Sequence, residues 1–258
     1  ASDGQQVILQ SFNSEDKKTI ISVLNTTGSV LKQQDFDIGP GSETEAPIIQ
    51  HFTNRASRLP FRVGRTNGGL YYFNGFFNYT FSLVFTNLND SDPQGVVQGQ
   101  HDDGGISALM PLSGQDFAVA SFNFGTNYLM PRLALNTTGI SSAVDLVNNP
   151  FPELQPNAYV RIASATGQNG QVTLMASSSR NGQIVVHGFA PSGKLIGTKY
   201  LGYGNQNKLA GIIQTSDGGL AVLGTTYVAG RFERIVLYKL SEKESDMVLN
   251  LKLLNTSS

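Results

Sequence analysis

Short apolar runs separated by glycine-containing turns recur along the whole chain. The most regular one is Asp217–Thr225 (Asp-Gly-Gly-Leu-Ala-Val-Leu-Gly-Thr), and similar stretches begin at Asp3, Asn67, Ser113 and Asn169. Short apolar runs bounded by turn residues predict buried β-strands, and Asp-Gly or Asn-Gly pairs favour type I′ hairpins, in which both central residues have positive φ. The pattern therefore predicts five copies of one hairpin unit, with no segment of sustained helical periodicity.

Each copy of this hairpin is accompanied by further predicted strands. A second hairpin follows it, as in Val185–Ile196 with a turn that ends at Gly193, and another short strand precedes it, as in Ala210–Gln214. The unit therefore has four strands and recurs roughly every 50 residues, which is typical of the blades of a β-propeller. A single sheet of this kind cannot bury both of its apolar faces, but sheets that stack in a closed ring can.

The repeat predicts an all-β fold in which the whole chain forms one propeller domain of five blades. The approximate blades are 1–38, 59–100, 104–149, 158–203 and 208–254. Residues 39–58 are predicted to be an inserted loop across one face, and six blades are the alternative if this segment hides a decayed repeat. Because the first copy begins at its glycine turn, we expect a three-stranded first blade or a tail shared between blades. The tail Met247–Leu253 aligns with the last strand of its own blade.

Composition narrows the class of protein further. Charged residues make up 14% of the chain and the formal net charge is −1, so the chain lacks the basic surface of a nucleic-acid-binding protein. The absence of cysteine excludes disulfide scaffolds, thiolate metal sites and cysteine nucleophiles. No run approaches the ~20 apolar residues of a membrane-spanning helix. Low charge and abundant small polar residues favour a location outside the cytoplasm, although some cytoplasmic proteins share this composition.

The last copy of the repeat carries a resemblance to a known group of proteins. The stretch Thr215–Thr226, followed by Leu237–Leu240, resembles the repeat of bacterial secreted or lipoprotein β-propellers. The resemblance extends over nearly the whole chain as a degenerate repeat. It implies a propeller fold and a periplasmic, cell-surface or secreted location, with room for a lipid anchor outside the printed sequence. It implies no particular activity, because such propellers host many functions.

Two clusters of carboxylates are candidate metal sites. Asp102 and Asp103 follow His101, and Asp90 and Asp92 alternate with other oxygen-bearing residues. Carboxylate oxygens are the ligands that Ca²⁺ prefers. Asp is also a common turn residue because its side chain hydrogen-bonds the nearby backbone, and this second interpretation is favoured for both clusters. The sequence therefore predicts no cofactor, with calcium as the alternative.

Aromatic side chains in the predicted loops between the second and third strands are candidate ligand-binding residues. They are Phe76, Phe77, Tyr79, Phe124, Tyr128, Tyr227 and Phe232. Rings grouped at one end of a propeller would stack on sugars or contact a protein, whereas the alternative is that they fill gaps between blades. Arg62 and Arg161 occupy similar places in predicted innermost strands. They would bind an anion in the central channel or pair with local carboxylates.

Candidate catalytic residues do not converge on one reaction. The chain has three histidines, and His187 lies inside a predicted strand, where a packed residue is expected. No Gly-x-Ser-x-Gly nucleophile elbow or phosphate-binding loop is present. Two hypotheses remain. The favoured one is a non-catalytic module outside the cytoplasm that binds a glycan or a protein through the aromatic loops, with no nucleic-acid partner. The alternative is a hydrolase or lyase that acts on glycans in the central funnel.

Overall fold

The computed structural model describes residues 1–2, 4–53, 61–227 and 232–250. Asp3 of the first repeat, residues 54–58 of the predicted insertion and residues 251–254 of the predicted last blade lie outside the described residues. Strands dominate the described chain and group into five sheets. The predicted all-β class is therefore confirmed.

The strands and helices follow one another along the described chain. They are β1 (Gln6–Asn13), β2 (Lys18–Asn25), β3 (Val30–Asp37), α1 (Ser42–Phe52), β4 (Arg62–Arg65), β5 (Tyr71–Phe77), β6 (Thr80–Thr86), β7 (Gly95–Gln100), β8 (Gly104–Pro111), β9 (Asp116–Asn123), β10 (Thr126–Ala134), β11 (Ile140–Ser142), a 3-10 turn (Ala143–Asp145), β12 (Arg161–Gly167), β13 (Gly170–Ser178), β14 (Ile184–Phe189), β15 (Leu195–Leu201), β16 (Gln206–Gln214), β17 (Leu220–Tyr227), β18 (Glu233–Leu240) and α2 (Glu242–Leu249).

Apart from β11, the strands of each sheet come from one continuous stretch of the chain. Sheet 1 has the order β1-β2-β3, sheet 2 β11-β7-β6-β5-β4, sheet 3 β10-β9-β8, sheet 4 β12-β13-β14-β15 and sheet 5 β16-β17-β18. Apart from β11, the paired strands are neighbours along the chain, which is the meander of a propeller blade. The first sheet has three strands, as its missing leading strand led us to expect. The other sheets have three, four or five strands instead of a constant four, and the number of blades in a ring stays a prediction.

The described chain divides into two compact units. The first comprises residues 1–106, 111–116 and 134–146, and the second comprises residues 107–110, 117–133 and 147–258. Each unit has its own apolar core. The prediction of one continuous propeller domain stays a prediction.

In the first unit, the core lies where sheets 1 and 2 bring their apolar faces together. Its buried members include Ile8, Ile21, Val23, Phe36, Tyr71, Phe73 and Val84. The rings of Phe36 and Phe73 are in contact, with centroids 4.9 Å apart. Full burial of one large apolar side chain stabilises the fold by about 1.5–3 kcal/mol. The buried residues come from alternate positions of their strands.

In the second unit, sheets 4 and 5 enclose the core. Its buried members include Val172, Leu174, Ala176, Ile184, Val186, Leu209, Ile212, Leu220, Val222 and Leu240. Since Leu174 and Ala176 of β13 and Val186 of β14 supply this core, the intervening positions of the same strands lie on the other face of sheet 4. That second face carries the polar site described below.

Helix α2 closes the core of the second unit by resting directly on glycines of sheet 4. The carbonyl oxygen of Val248 lies over Gly188 of β14, and the two neighbouring carbonyls of the helix lie over Gly197 and Gly167. A Cβ atom at Gly188 would overlap the Val248 oxygen. Glycine is therefore required here for close approach of two backbones, which explains three of the glycines that do not belong to turns.

The repeated glycine turns differ in type from the prediction. In the last copy, Thr215 N donates to Gly219 O at 3.0 Å and Gly218 N donates to Thr215 O at 3.0 Å. Only Gly218 has a positive φ, of 79°, whereas Asp217 does not. This is a three-residue loop in which a type I turn precedes a left-handed glycine, not a type I′ turn. Asp217 favours it because its Oδ1 accepts from Gly219 N at 3.2 Å. The same pair of backbone bonds recurs at Thr66–Leu70.

Helix α1 replaces the loop that was predicted for the insertion. The glycines and Pro47 of this segment indicate a loop, but Ile48 is buried in a cluster with Phe76 and Phe81. An ion pair between Lys17 and Glu45, at 2.8 Å, ties the first turns of the helix to the end of sheet 1. The burial of Ile48 and the Lys17–Glu45 ion pair therefore stabilise a helix that the sequence pattern alone does not predict.

Helix α2 replaces the strand that was predicted for the start of the tail, Met247–Leu249. Ser241 Oγ accepts from Glu244 N at 3.3 Å, and Glu244 Oε2 accepts from Ser241 N at 2.9 Å. This is a capping box, whose Ser-x-x-Glu spacing is visible in the sequence. The prediction was wrong because the apolar run at the end of the helix was interpreted without its capping signal.

Strand β11 also differs from the general prediction of a second hairpin in each unit, because β10 and β11 belong to different sheets. Ile140 instead lies opposite Val96 of β7, and the two strands are parallel. Val96 N donates to Gly139 O at 2.9 Å. Gly95 permits this arrangement because a side chain there would overlap the backbone of Thr137.

The contact between α2 and sheet 4 can be tested by comparing two glycine substitutions. We expect Gly188→Ala to lower the free energy of unfolding by about 1–3 kcal/mol, because the added methyl group must push α2 off the sheet. Gly211→Ala is the control, since no atom lies within 4 Å of the position that its Cβ would occupy. Urea denaturation of both variants makes the comparison. Equal stability of the two variants would contradict the proposed packing.

Candidate functional site

A buried histidine marks the polar face of sheet 4. His187 of β14 is 1% exposed and lies opposite Thr198 of β15 in the antiparallel register. Its Nδ1 is 3.0 Å from Thr198 Oγ1. The ring of Phe151 covers the imidazole edge-on, with centroids 4.8 Å apart. An imidazole buried in this way needs polar partners on both nitrogens, and Thr198 satisfies one of them.

A loop that crosses the end of sheet 4 brings a carboxylate to the other nitrogen. Leu154 forms an isolated β-bridge with Ser179, and Arg180 N donates to Glu153 O at 2.8 Å. This pairing fixes the backbone of residues 153–155 beside the hairpin that joins β13 to β14. Because side chains alternate along an extended segment, the bridge that buries Leu154 leaves Glu153 facing the polar side.

The Glu153 carboxylate links the buried imidazole to an exposed phenol. Its Oε1 is 3.1 Å from His187 Nε2, and its Oε2 accepts from Tyr200 OH at 2.8 Å. The geometry between His187 Nε2 and Glu153 Oε1 is not that of a hydrogen bond. The two atoms are therefore in close electrostatic contact only. Thr198 and Tyr200 are two residues apart on β15 and share one face. Two strands and one loop therefore hold a row of four polar side chains.

The pKa shifts define the charge of this row at neutral pH. Burial lowers the pKa of His187 to about 4, with the Glu153 charge acting in the opposite direction. The hydrogen bond to Glu153 raises the pKa of the Tyr200 phenol, and burial adds to the increase. Near pH 7 the imidazole is thus neutral and the phenol keeps its proton. The row therefore presents the Tyr200 hydroxyl as a hydrogen-bond donor and Glu153 as a carboxylate. Neither His187 nor Tyr200 has a pKa shifted toward pH 7, as a general base would need.

A cavity of about 280 Å³ opens beside this row. We call it the Glu153 cavity, and its lining residues are Glu153, Ser179, Arg180, Asn181, Gln183 and Tyr200. Its volume is just below the roughly 300–1,000 Å³ of pockets for drug-sized ligands. The lining combines one carboxylate, one guanidinium, two carboxamides and two hydroxyl groups. Such a set of donors and acceptors suits a small polar ligand.

Within the first unit, the predicted ligand-binding residues do not gather around one open site. Phe76 is 8% exposed and packs against Phe81 with centroids 5.3 Å apart, so it is a core residue instead of a ligand-facing one. Phe77 is partly buried against Phe36. The exposed Tyr79 ring lies against Gly39. Arg62, at the start of β4, lines a second cavity of about 210 Å³.

Within the second unit, the predicted aromatic residues are more exposed but lie outside the Glu153 cavity. Phe124 is 77% exposed, Phe232 is 92% exposed and Tyr227 is 50% exposed, whereas Tyr128 is half-buried. None of these four lines the cavity. Their role in binding stays a prediction.

Arg161 contacts the backbone and an aromatic ring. Its Nε donates to Ala210 O at 2.9 Å, and its guanidinium stacks over Tyr159 at 4.4 Å from the ring centroid. The predicted pairing with a carboxylate is therefore not what holds this side chain. Binding of an anion by Arg161 stays a prediction.

The candidate metal ligands lie in turns. Asp102 and Asp103 lie in the tight turn between β7 and β8, where His101 N donates to Gly104 O at 2.7 Å. Asp90 Oδ1 accepts from Asp92 N at 3.1 Å, which is the local bond of an Asx turn. Within the ranges that the structure describes, no three His, Asp or Glu side chains gather as a metal site. Calcium binding at these aspartates stays the untested alternative to the prediction of no cofactor.

Sequence reasoning did not select most of the Glu153 cavity. The sequence predicts His187 only as a packed residue. The available signal was a histidine inside the otherwise apolar run Ile184–Phe189, because a buried polar side chain implies a polar partner. The identity of that partner, Glu153, could not be inferred, since it depends on how a loop distant in the sequence crosses the sheet.

Comparisons with known proteins do not assign the chain to a family. No family model and no curated protein matches the chain. Structures that it resembles include propeller-type proteins. One is a protein of unknown function from Bacteroides caccae, with 12% identity over 93% of this chain and 74% of that one, at a TM-score of 0.42. Another is a hypothetical protein from Leishmania major, with 14% identity over 93% and 87% and a TM-score of 0.40.

A third structure is that of extracellular domains 1–2 of Drosophila semaphorin 1b. The identity is 9% over 92% of this chain, the TM-score is 0.49, and the chain spans 52% of that protein's length. At these identities and TM-scores, the likenesses carry no argument about activity. Among the described residues, no helix is long and apolar enough to cross a membrane. The function must therefore be argued from the chain's own side chains.

The two kinds of predicted aromatic residue can be separated by stability measurements. We expect Phe77→Ala to lower the free energy of unfolding by about 1–3 kcal/mol, because the ring packs beside Phe36 and its loss leaves a cavity. Phe124→Ala should change it by less than about 0.5 kcal/mol, because the ring is largely exposed. Thermal and urea unfolding of both variants provide the test. A larger loss in Phe124→Ala than in Phe77→Ala would contradict this assignment.

The buried histidine predicts a specific pH dependence of stability. The unfolded chain takes up a proton on His187 near pH 6.5, whereas the folded protein does so only near pH 4. The stability that the neutral imidazole contributes is complete above pH 6.5 and is lost as the pH falls from 6.5 to 4. The loss amounts to about 3 kcal/mol at most.

The variant His187→Gln removes the titrating group. We expect the free energy of unfolding of this variant to depend less steeply on pH between 4 and 6.5 than that of the wild type. Urea denaturation at several pH values measures both slopes, and NMR titration of the His187 ring measures its pKa directly. Identical slopes, together with a His187 pKa near 6.5, would show that the imidazole is not buried as described.

Proposed function

We propose that this protein is a non-catalytic binding module that recognises a glycan in the Glu153 cavity. The observation that carries the proposal is the fixed Glu153–Tyr200 pair beside Arg180 in a cavity lined by polar side chains. A sugar presents several hydroxyl groups, each of which both donates and accepts hydrogen bonds. The carboxylate and carboxamide groups of the cavity match these hydroxyls, and the ring of Tyr200 offers apolar surface for a sugar face.

The arrangement favours binding over catalysis. Hydrolysis of a glycosidic bond ordinarily needs two carboxyl groups that flank it, and Glu153 is the one carboxylate of the cavity lining. A lyase needs a base that removes a carbon-bound proton. The raised pKa of Tyr200 keeps its phenol protonated, and the His187 ring is buried away from solvent. A glycan hydrolase or lyase is therefore the second candidate.

The proposed location is outside the cytoplasm. Support comes from the low charge and the absence of cysteine, together with the resemblance of the repeat to that of secreted or lipoprotein propellers. A protein partner bound through the exposed aromatic loops is compatible with the same location. Fractionation of cells that express the complete gene, followed by detection of this chain, tests the location independently of ligand binding.

Glycan binding can be tested with the purified chain on a broad glycan array, followed by calorimetry with the sugars that bind. We expect Glu153→Gln to weaken binding by about tenfold or more, because a charged hydrogen bond is worth about 1.5–3 kcal/mol. Tyr200→Phe should weaken it less, since it removes one hydroxyl. Arg132→Gln is the control, because Arg132 is exposed and lies outside the cavity lining.

Two outcomes would overturn the proposal. One is that no glycan on the array binds to the folded wild-type protein. The other is that a glycan binds but Glu153→Gln leaves its affinity unchanged, which would place the site elsewhere. Cleavage of a bound glycan into new reducing ends or unsaturated products would instead support the enzymatic alternative.

A further inference from the structure

We infer that the ligand of the Glu153 cavity carries a carboxylate that Arg180 receives, so that the glycan is an acidic one containing uronic acid residues. This inference rests on the proposed function and adds the charge and orientation of the ligand. It depends on the way in which Arg180 is held and on the absence of a protein partner for its outer nitrogens.

Arg180 is anchored from one edge of its guanidinium. Its Nε lies 2.7 Å from Pro152 O and 3.1 Å from Leu154 O, and its own backbone N donates to Glu153 O. The Arg180 side chain is exposed. Its position is fixed by the carbonyls of the loop that contains Pro152 and Leu154. Two carbonyls thus fix the guanidinium without neutralising its charge, because they carry only partial charges.

The outer nitrogens of Arg180 remain available to a ligand. Among the described residues, neither Nη atom forms a hydrogen bond or ion pair. Glu153 lines the same cavity but makes no ion pair with Arg180; its oxygens face His187 and Tyr200 instead. A guanidinium with a free pair of N–H groups matches the two oxygens of a carboxylate.

The two charges also orient the ligand. A carboxylate on the ligand is attracted to Arg180 and repelled by Glu153, whereas hydroxyl groups can donate to Glu153. Asn181 and Gln183 lie with Arg180 on the hairpin that joins β13 to β14. Both residues line the cavity. A uronic acid residue has a carboxylate on one side of its ring and hydroxyls on the others, so it satisfies both ends at once. A neutral sugar offers the guanidinium only uncharged hydroxyl oxygens, which form weaker hydrogen bonds than a carboxylate does.

The test uses trigalacturonate and its fully methyl-esterified form, which differ in charge but share one sugar skeleton. Titration calorimetry of the wild-type chain should show that the acid binds at least about tenfold more tightly than the ester, as expected for a bidentate charged contact. Arg180→Gln should remove this preference. Arg132→Gln is the matched control, because it removes another exposed arginine, which lies outside the cavity lining, and should keep the preference.

Each outcome separates this inference from the proposed function. If the ester binds wild type as tightly as the acid, the carboxylate inference is wrong and glycan binding stands. If Arg180→Gln, checked for an unchanged melting temperature, still prefers the acid, the assignment to Arg180 is wrong. A second variant, Arg180→Lys, keeps the charge but loses the planar fork and should keep only part of the preference. If neither trisaccharide nor any arrayed glycan binds, the proposed function itself fails.

Discussion

The contact between Glu153 and the buried His187 is the constraint on which the polar site depends. An imidazole that is 1% exposed is costly unless its nitrogens have polar neighbours. Thr198 comes from the adjacent strand and supplies one of them. The other must come from outside the sheet, which requires the loop around residues 151–155 to lie across it. That loop then brings Phe151 over the imidazole and forms one wall of the cavity.

The rigidity of this site comes from the other face of the same strands. Val186, next to the histidine in β14, is fully buried in the core between sheets 4 and 5. Gly188 follows the histidine, and the Val248 carbonyl of α2 packs directly against its Cα. Strand β14 is therefore held on its core face at the positions before and after His187, and a polar side chain between them has little freedom to move. For the proposed function, groups that such an element positions need little reorganisation when a ligand binds.

The sequence predicts the parts of the structure that are local and misses those that depend on contacts between distant segments. Gly218 and its equivalents mark hairpins because left-handed backbone favours glycine, and the all-β class follows from these turns and the apolar runs between them. Helix α2 was also predictable, since Ser241 and Glu244 have the spacing of a capping box. Helix α1 was not, because its stability depends on burial of Ile48 against sheets 1 and 2. The partnership of Glu153 with His187 is long-range in the same sense.

The protonation states of the row favour the proposed binding role over the catalytic alternative. A general base works best when its pKa lies near the working pH. Here burial moves the His187 pKa well below neutrality, and the shared hydrogen bond moves the Tyr200 pKa in the opposite direction. Both shifts stabilise the resting hydrogen-bond pattern. Glu153 accepts a hydrogen bond from Tyr200, which fixes the orientation of its carboxylate in the cavity. The carboxylate supplies a negative charge to the cavity, and the guanidinium of Arg180 supplies a positive one.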